Sequence, residues 1–366
     1  MTLKEILENG EILEHAVSSA LSIEEPELRC RPLTLEGQGA LVLFSGHRAG
    51  IQLNGYGPFR FRGLTFRHLD EVGPTLFLCQ DASVVFEDCT FEGAYGGSEE
   101  ALASAVVLRG RTRAVFERCR FLTNDLHISA GQESHCLINR SYFHNARADG
   151  LRTEGQAELV LRHSKVNSSG WSGVSCAEAS HLSLEECVLS ENGCHGVELL
   201  GESRYHGRQN ILSTNGYNGI LASGKSTLQS RCDQTIENLL CGIDLAGESV
   251  STLLAFFALN NKVHGAQMRE TARAVIRDGQ LDENGRSGLA LFGDSHLHAE
   301  AIGCRANAYG GIQCTGSARL SLDRVNVGGN LVAGIAMFNR SRVIAERSRE
   351  GKRGGQGRTE KEEGEG

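Results

Sequence analysis

The hydrophobic positions of this chain recur on a fixed beat. Glycine followed by an aliphatic residue occurs at Gly150-Leu151, Gly173-Val174, Gly196-Val197, Gly219-Ile220, Gly242-Ile243, Gly265-Ala266, Gly288-Leu289, Gly311-Ile312 and Gly334-Ile335, and every step is 23 residues. Two residues after the leading apolar one stands a second: Cys176, Leu199, Ala222, Leu245, Met268, Leu291, Cys314 or Met337. Alternation with period two puts both on one face of a strand. A second alternating run follows, as in Leu182-Ser183-Leu184 and Leu320-Ser321-Leu322. Before each of seven glycines sits an asparagine: Asn192, Asn215, Asn238, Asn261, Asn284, Asn307 and Asn330. Asparagine tolerates the left-handed conformation, and its amide can bond to the same amide one coil above.

A period of this length means that each copy is one unit stacked on the next. Two or three short strands fill 23 residues and leave no room for a helix, which predicts one coil of a right-handed parallel β-helix. A leucine-rich repeat would need the phrase Leu-x-x-Leu-x-Leu-x-x-Asn, and no copy carries it. Repeats such as Asn215-Gly216-Tyr217-Asn218-Gly219-Ile220 resemble those of the pectin-lyase-like superfamily, specifically its carbohydrate-binding and sugar-hydrolase repeats. The resemblance covers most of the chain and implies an all-β fold. It leaves the activity open, because that superfamily holds lyases, hydrolases, epimerases, periplasmic accessory proteins and the recognition part of some F-box proteins.

Upstream, Gly63-Leu64-Thr65-Phe66, Asp88-Cys89-Thr90-Phe91, Arg118-Cys119-Arg120-Phe121 and Arg140-Ser141-Tyr142-Phe143 mark equivalent points at intervals of 25, 30 and 22 residues. The longest step is absorbed by a loop, Gly93 to Glu100. About twelve coils result, and at ~4.8 Å of rise each the rod is on the order of 60 Å long. Residues 33–346 are read as this β-helix. In residues 1–32, Leu3, Ile6, Leu7, Ile12, Leu13, Ala16, Val17, Ala20 and Leu21 have helical spacing, interrupted at Asn9-Gly10, which predicts a short helical N-terminal cap over the first coil. Residues 347–366 are charged, Gly-rich and without apolar anchors, the composition of a disordered tail. No apolar C-terminal cap is evident, which points to end-to-end self-association or a partner at the last coil.

The net charge of −8 argues against a general nucleic-acid binder. Several of the twelve cysteines fall at inward strand positions (Cys176, Cys314), and free core thiols suit a reducing compartment. Neither a signal peptide nor an apolar run of membrane length is visible, so the expectation is a cytoplasmic protein without membrane contact.

Gly219-Ile220-Leu221-Ala222-Ser223-Gly224-Lys225-Ser226 satisfies the phosphate-loop pattern letter for letter. Its register with the coil before makes Ile220 and Ala222 inward strand residues, and a phosphate loop needs a helix there. The outward position between the two inward ones reads Arg152, Ser175, Glu198, Leu221, Asp244, Gln267, Ala290, Gln313 and Ala336. Glu198 and Asp244 are two coils apart, ~9.6 Å along the axis, near the upper end of the separation of an inverting carboxylate pair. One position before the glycines stand Asp149, Ser172, His195, Asn218, Cys241 and His264, so Arg152, His195, Glu198 and Asp244 form a candidate acid/base cluster. The resemblance supplies no catalytic phrase for it: the glycosidase signatures and the Asp-Pro-His of alginate epimerases are missing.

Two residues before the glycines, Trp171, Tyr217 and Tyr309 offer aromatic faces for a sugar ring, interleaved with apolar side chains that suit packing instead. No metal-ligand spacing occurs beyond the outward pair His296-x-His298, and no cofactor is called for. The sequence therefore sets the expectation of a non-catalytic recognition scaffold that binds a glycan or a protein along an exposed face. The alternative is a polysaccharide lyase, hydrolase or epimerase acting on an acidic polysaccharide at an atypical site.

Overall fold

The computed structural model describes residues 13–17, 21–23, 28–30, 33–45, 50–55, 57–70, 72–98 and 101–348. Among these every regular element is a strand, and all ladders between strands are parallel. The glycine-led strands form one sheet of 14, from Leu28–Cys30 to Ala333–Met337. In it Val197 pairs with Ile220 and Ile220 with Ile243, so residues one repeat apart are vertical neighbours. The remaining sides of the coil belong to a sheet of 24 strands. It carries five-residue strands such as His181–Glu185 and three-residue strands such as Val188–Ser190, with a bend between them at Glu186. The fold is an all-β right-handed solenoid of about thirteen turns.

Each coil turns three corners, and at each a residue adopts positive φ. Glu178, Glu186 and Glu191 do so in one coil, at φ 59°, 52° and 58°. Non-glycine residues rarely visit this region, so the ladders on both sides must hold them there. The glycine before each strand answers a different need. A Cβ on Gly196 would stand 2.7 Å from the carbonyl oxygen of Gly219 in the next coil and 3.0 Å from the Asn215 amide nitrogen. Only a residue without a side chain lets the coils close at this point.

The core is the stack of inward side chains. Early coils stack phenylalanines, with Phe91, Phe121 and Phe143 at ring separations of 4.5 and 4.7 Å. Later coils hold aliphatic residues such as Val197, Leu199, Ile220 and Ile243, all buried, at about 25 cal/mol per Å² of apolar surface removed from water. Beside this core runs the asparagine column. Asn192 donates to Asn215 Oδ1 at 2.9 Å, Asn215 to Asn238 at 2.9 Å and Asn238 to Asn261 at 2.9 Å, and the series continues through Asn284 and Asn307 to Asn330. Each receiving oxygen also accepts the donor residue's own backbone N–H, and the second amide proton of Asn238 goes to the Leu212 carbonyl at 3.0 Å. Every donor of these buried amides is used, which is what keeps a polar column inside the rod from being a liability.

The expected helical cap over 1–32 is corrected by the structure. Leu13–Val17, Leu21–Ile23 and Leu28–Cys30 are strands, and the first two pair with Leu33–Phe44 through Leu13↔Leu35, Val17↔Gly37 and Leu21↔Val42. The local spacing favoured a helix, but an open strand edge offers a complete ladder, and such tertiary pairing outweighs propensity. These strands account for the extra turn beyond the expected twelve. Residues 1–12, 18–20, 24–27 and 31–32 of the cap and 349–366 of the expected tail lie outside the described residues. The phosphate-loop letters are strand and turn, with Ile220–Ala222 followed by the strand Thr227–Arg231.

Asn238→Ala strands the Asn215 donors and the Leu212 carbonyl, and is expected to destabilise the rod by on the order of 3 kcal/mol. Hydrogen exchange should show the loss of protection concentrated in the two neighbouring coils, because a solenoid opens locally. Uniform protection would mean that the column is not the element holding those coils.

Candidate functional site

The outward face of the 14-stranded sheet is a trough. Its floor is the column Val107, Ser129, Arg152, Ser175, Glu198, Leu221, Asp244, Gln267, held in line by one-to-one pairing of successive strands. A groove of about 500 Å³ opens at one end, lined by Val107, Ser129 and Arg152 on the floor, Arg109 and Glu154 on one wall, and Leu102 and Trp171 on the other. The 30-residue coil supplies Leu102. Its loop is pinned by buried Asp125, which accepts the N–H of Gly96 at 2.6 Å and of Ala103 at 3.0 Å and pairs with Arg147 at 2.8 Å. Asp125 thus anchors the chain at Gly96 and Ala103, and Leu102 between them forms part of the wall.

At the inner end of the groove four coils bring polar groups together. Arg152 donates from Nε and Nη2 to Asp149 Oδ2 at 3.1 and 2.8 Å, leaving Nη1 uncommitted. Its guanidinium lies 5.9 Å from the Trp171 ring centroid, a cation–π contact. Asp149 also accepts the Ser172 N–H at 3.0 Å. Burial nevertheless raises its pKa, outweighing Arg152 and that N–H.

One coil further, Ser172 and Ser175 direct their hydroxyls to Glu198 Oε2 at 3.4 and 3.3 Å. Burial raises the pKa of Glu198, and the charge of Asp149 adds to this, while the two hydroxyls and Arg152 oppose it. In the same coil His195 accepts the Asn218 N–H on Nδ1 at 3.3 Å. A backbone N–H can only donate, so the neutral ring carries its proton on Nε2. Burial holds the His195 pKa at about 4, against the partial opposition of Asp244, so this ring is neutral near pH 7 and a hydrogen-bond donor rather than a base. Tyr217, half exposed, stands with its ring 5.6 Å from that of His195.

The structure thus brings Arg152, His195 and Glu198 into one neighbourhood, with Asp244 near enough to act on His195 but engaged by other partners. Two rungs past Glu198, Asp244 receives Arg269 on both oxygens, at 3.1 and 3.0 Å, and Gln267 at 3.2 Å, so it is held in an ion pair. Trp171 and Tyr217 share the wall, two rungs apart. Tyr309 stands four rungs beyond Tyr217 on that wall, away from the cluster. The sequence cluster omitted Asp149, Ser172 and Ser175, which the columns contained but which only their shared partners single out. It also missed Arg269, which sits on a turn column that strand periodicity does not reach. Among the described residues no group of three or more His, Cys, Asp or Glu side chains is placed to hold a metal ion.

With this geometry in place, the similarities to known proteins can be read. The family model for the right-handed beta helix region matches residues 76–235, and the chain has the fold of the pectin-lyase-like right-handed parallel β-helix superfamily. No curated protein sequence matches it. Among solved structures it is similar to the periplasmic alginate epimerase AlgG. A double mutant of that protein gives a TM-score of 0.57 at 12% identity, covering 96% of this chain and 83% of the other. AlgG itself gives 0.55 at 11%, covering 94% and 83%. At that identity the likeness establishes the fold. The expectation of a non-catalytic scaffold is corrected on this finding: the structures just named are of an epimerase acting on alginate, which favours the polysaccharide-acting alternative.

The signs of the pKa shifts fix a stability profile. For His195 and His264, both depressed from 6.5 to about 4, the unfolded chain binds more protons in between. Their contribution is complete above 6.5 and is lost as the pH falls toward about 4. For Glu198 the raised folded pKa means that ionisation costs stability at neutral pH and nothing in acid. Glu198→Gln should therefore raise the melting temperature at neutral pH, and the gain should vanish in acid. A gain independent of pH would show that Glu198 is not held against ionisation.

Proposed function

We propose that this protein is a polysaccharide-modifying enzyme that removes the proton α to the carboxylate of a uronate unit in an acidic polysaccharide, the shared first step of uronate lyases and epimerases. One observation carries the reading. At the inner end of the groove, Asp149 and, further along the floor, Asp244 are committed to Arg152 and Arg269, while Glu198 stands outside an ion pair with its affinity for protons raised by burial. Proton abstraction needs a single base, a cation and a donor, which is the set present.

Arg152 pairs through Nη1 with the uronate carboxylate, and the Trp171 face that supports the guanidinium also backs the sugar ring. Glu198 takes the C5 proton. The electron pair of that C–H bond moves into the carboxylate, and the doubly anionic group that forms is stabilised by Arg152 and by the neutral Nε2–H of His195, a donor poised without cost in proton transfer. Return of a proton to the opposite face of C5 inverts the centre. Expulsion of the C4 glycosidic oxygen instead breaks the chain and leaves a C4–C5 double bond. Tyr217, beside His195 and open to the trough, is the group placed to deliver a proton in either outcome. The likeness to an alginate epimerase fold and the groove leading to Arg152 support this reading.

The test is exchange of the C5 proton in heavy water, followed by NMR on polymannuronate, polyguluronate and polygalacturonate, with absorbance of unsaturated ends read in parallel. Glu198→Gln should lower the rate by ~10²–10⁴-fold, the usual contribution of a positioned base. The wild-type rate should rise with pH through an ionisation above the ordinary carboxylate range. If the wild-type protein exchanges no C5 proton on any of the three polymers, the proposal fails.

A further inference from the structure

A second feature lies on the other sheet, toward the last coils. Arg273, His296, Arg319 and Arg342 occupy the same position in four successive strands. Two residues on in the same strands stand Val275, His298, Ser321 and Ile344. A depression of about 510 Å³ is lined by Arg273, His296, His298, Arg319, Arg342 and Ile344, among others. The three arginines are exposed, and none has an acidic partner among the described residues.

The adjacent outer column shows how this fold normally treats charge. Arg277 pairs with Glu300 at 3.1 Å, Arg324 also pairs with Glu300, and Arg347 pairs with Asp323 at 3.0 Å. Higher up, Glu185 lies between Arg162 and Arg208, at 3.4 and 3.2 Å. In this column even stacked like charges, such as Glu300, Asp323 and Glu346 on successive rungs, are met by arginines of opposite sign on a neighbouring rung or corner. The arginine column departs from this: Arg319 and Arg342 sit directly above one another, and Arg273 lies two rungs from Arg319 across His296, with no acid paired to any of the three among the described residues, on a chain whose net charge is −8. The nearest acid is Asp294, 3.7 Å from His296. An uncompensated cationic ladder is destabilising by itself and is stabilised when a repeating anion lies along it.

We infer that this ladder is a second, non-catalytic binding site for an acidic polysaccharide strand. The choice of polymer rests on the reading of the trough as a uronate site. A polyuronate carries one carboxylate per sugar, which suits cations set rung by rung, and exposed Ile344 with the Ser321 hydroxyl beside it suits the mixed apolar and hydroxylated face of a sugar ring. Nucleic acid fits less well: no Phe, Tyr or Trp side chain lines the depression for base stacking, and the net charge opposes a phosphate chain. Because the ladder and the trough lie on different sheets, the ladder holds polymer near the protein and raises its effective concentration at the trough.

The experiment is affinity electrophoresis through gels containing polymannuronate or polygalacturonate, with dextran as the uncharged control and poly(A) RNA as the competing polyanion. Arg319→Gln with Arg342→Gln should weaken retention by polyuronate at least tenfold, make the remainder less salt-dependent, and leave C5 exchange on a tetrauronate unchanged. The same variant should melt no lower than the parent, since it removes like-charge repulsion. If it does melt lower, Arg273→Gln carries the same retention test. Measuring both in wild-type and Glu198→Gln protein separates the two sites, because retention that depends on the arginines without any turnover upholds the ladder while the uronate chemistry fails. Unchanged retention in the arginine variants overturns the inference, and so does tighter retention by poly(A) than by either polyuronate.

Discussion

The rod depends on amide groups meeting amide groups along its axis. From Asn215 to Asn330 each side-chain oxygen accepts both the amide and the backbone N–H of the asparagine one coil before, at separations near 3 Å, in buried surroundings. That contact fixes the vertical spacing of the coils, and other features are set by it. The glycine column must lack side chains because the next coil's carbonyl comes within 2.7 Å of where a Cβ would be. The strands that follow must then be in register, so whatever stands at an outward position in one coil meets its counterpart in the next.

Stacking in register has an electrostatic consequence that differs between the two sheets. In the trough, the positions before the glycines are buried and satisfied along the axis: Asp149 by the Ser172 N–H, His195 by that of Asn218, His264 by that of Ser287. A titratable side chain placed there gains a fixed orientation and loses hydration together, and its pKa moves toward the neutral form. His264 shows that the histidine environment is a property of the column, since its pKa is also held at about 4. What makes the His195 coil distinct is its company: Glu198 unpaired beside it, Arg152 two rungs up, and the groove beyond. On the outer sheet the same register leaves charges in water, where pairing of opposite signs is the default and the arginine ladder is the departure.

The architecture was legible because a period of 23 residues is visible without knowing any contact. The column of Glu198 and the wall of Trp171 and Tyr217 could be read from it, since both follow from counting. Two kinds of information could not. The strands at Leu13–Val17 and Leu21–Ile23 look helical in isolation and are decided by the free edge of Leu33–Phe44, a partner that local spacing does not reveal. Likewise, the capture of Asp244 by Arg269 joins a strand position to a turn position in the next coil, and the choice among carboxylates turns on that pair. Position in a repeat tells which side chains are neighbours, while which of them neutralise one another is decided by rotamers and reach.

The three left-handed corners of each coil separate two properties that are usually entangled. Chain can be added at a corner without disturbing the ladders, because the strands on either side re-enter at their old heights, as Ser104–Arg109 does after the long excursion that precedes it. Rim height can therefore evolve almost independently of thermal robustness. A lineage with this scaffold can deepen or roof its trough by lengthening loops at the vertices, and so change which polymers are admitted, while the spine beneath stays as it was.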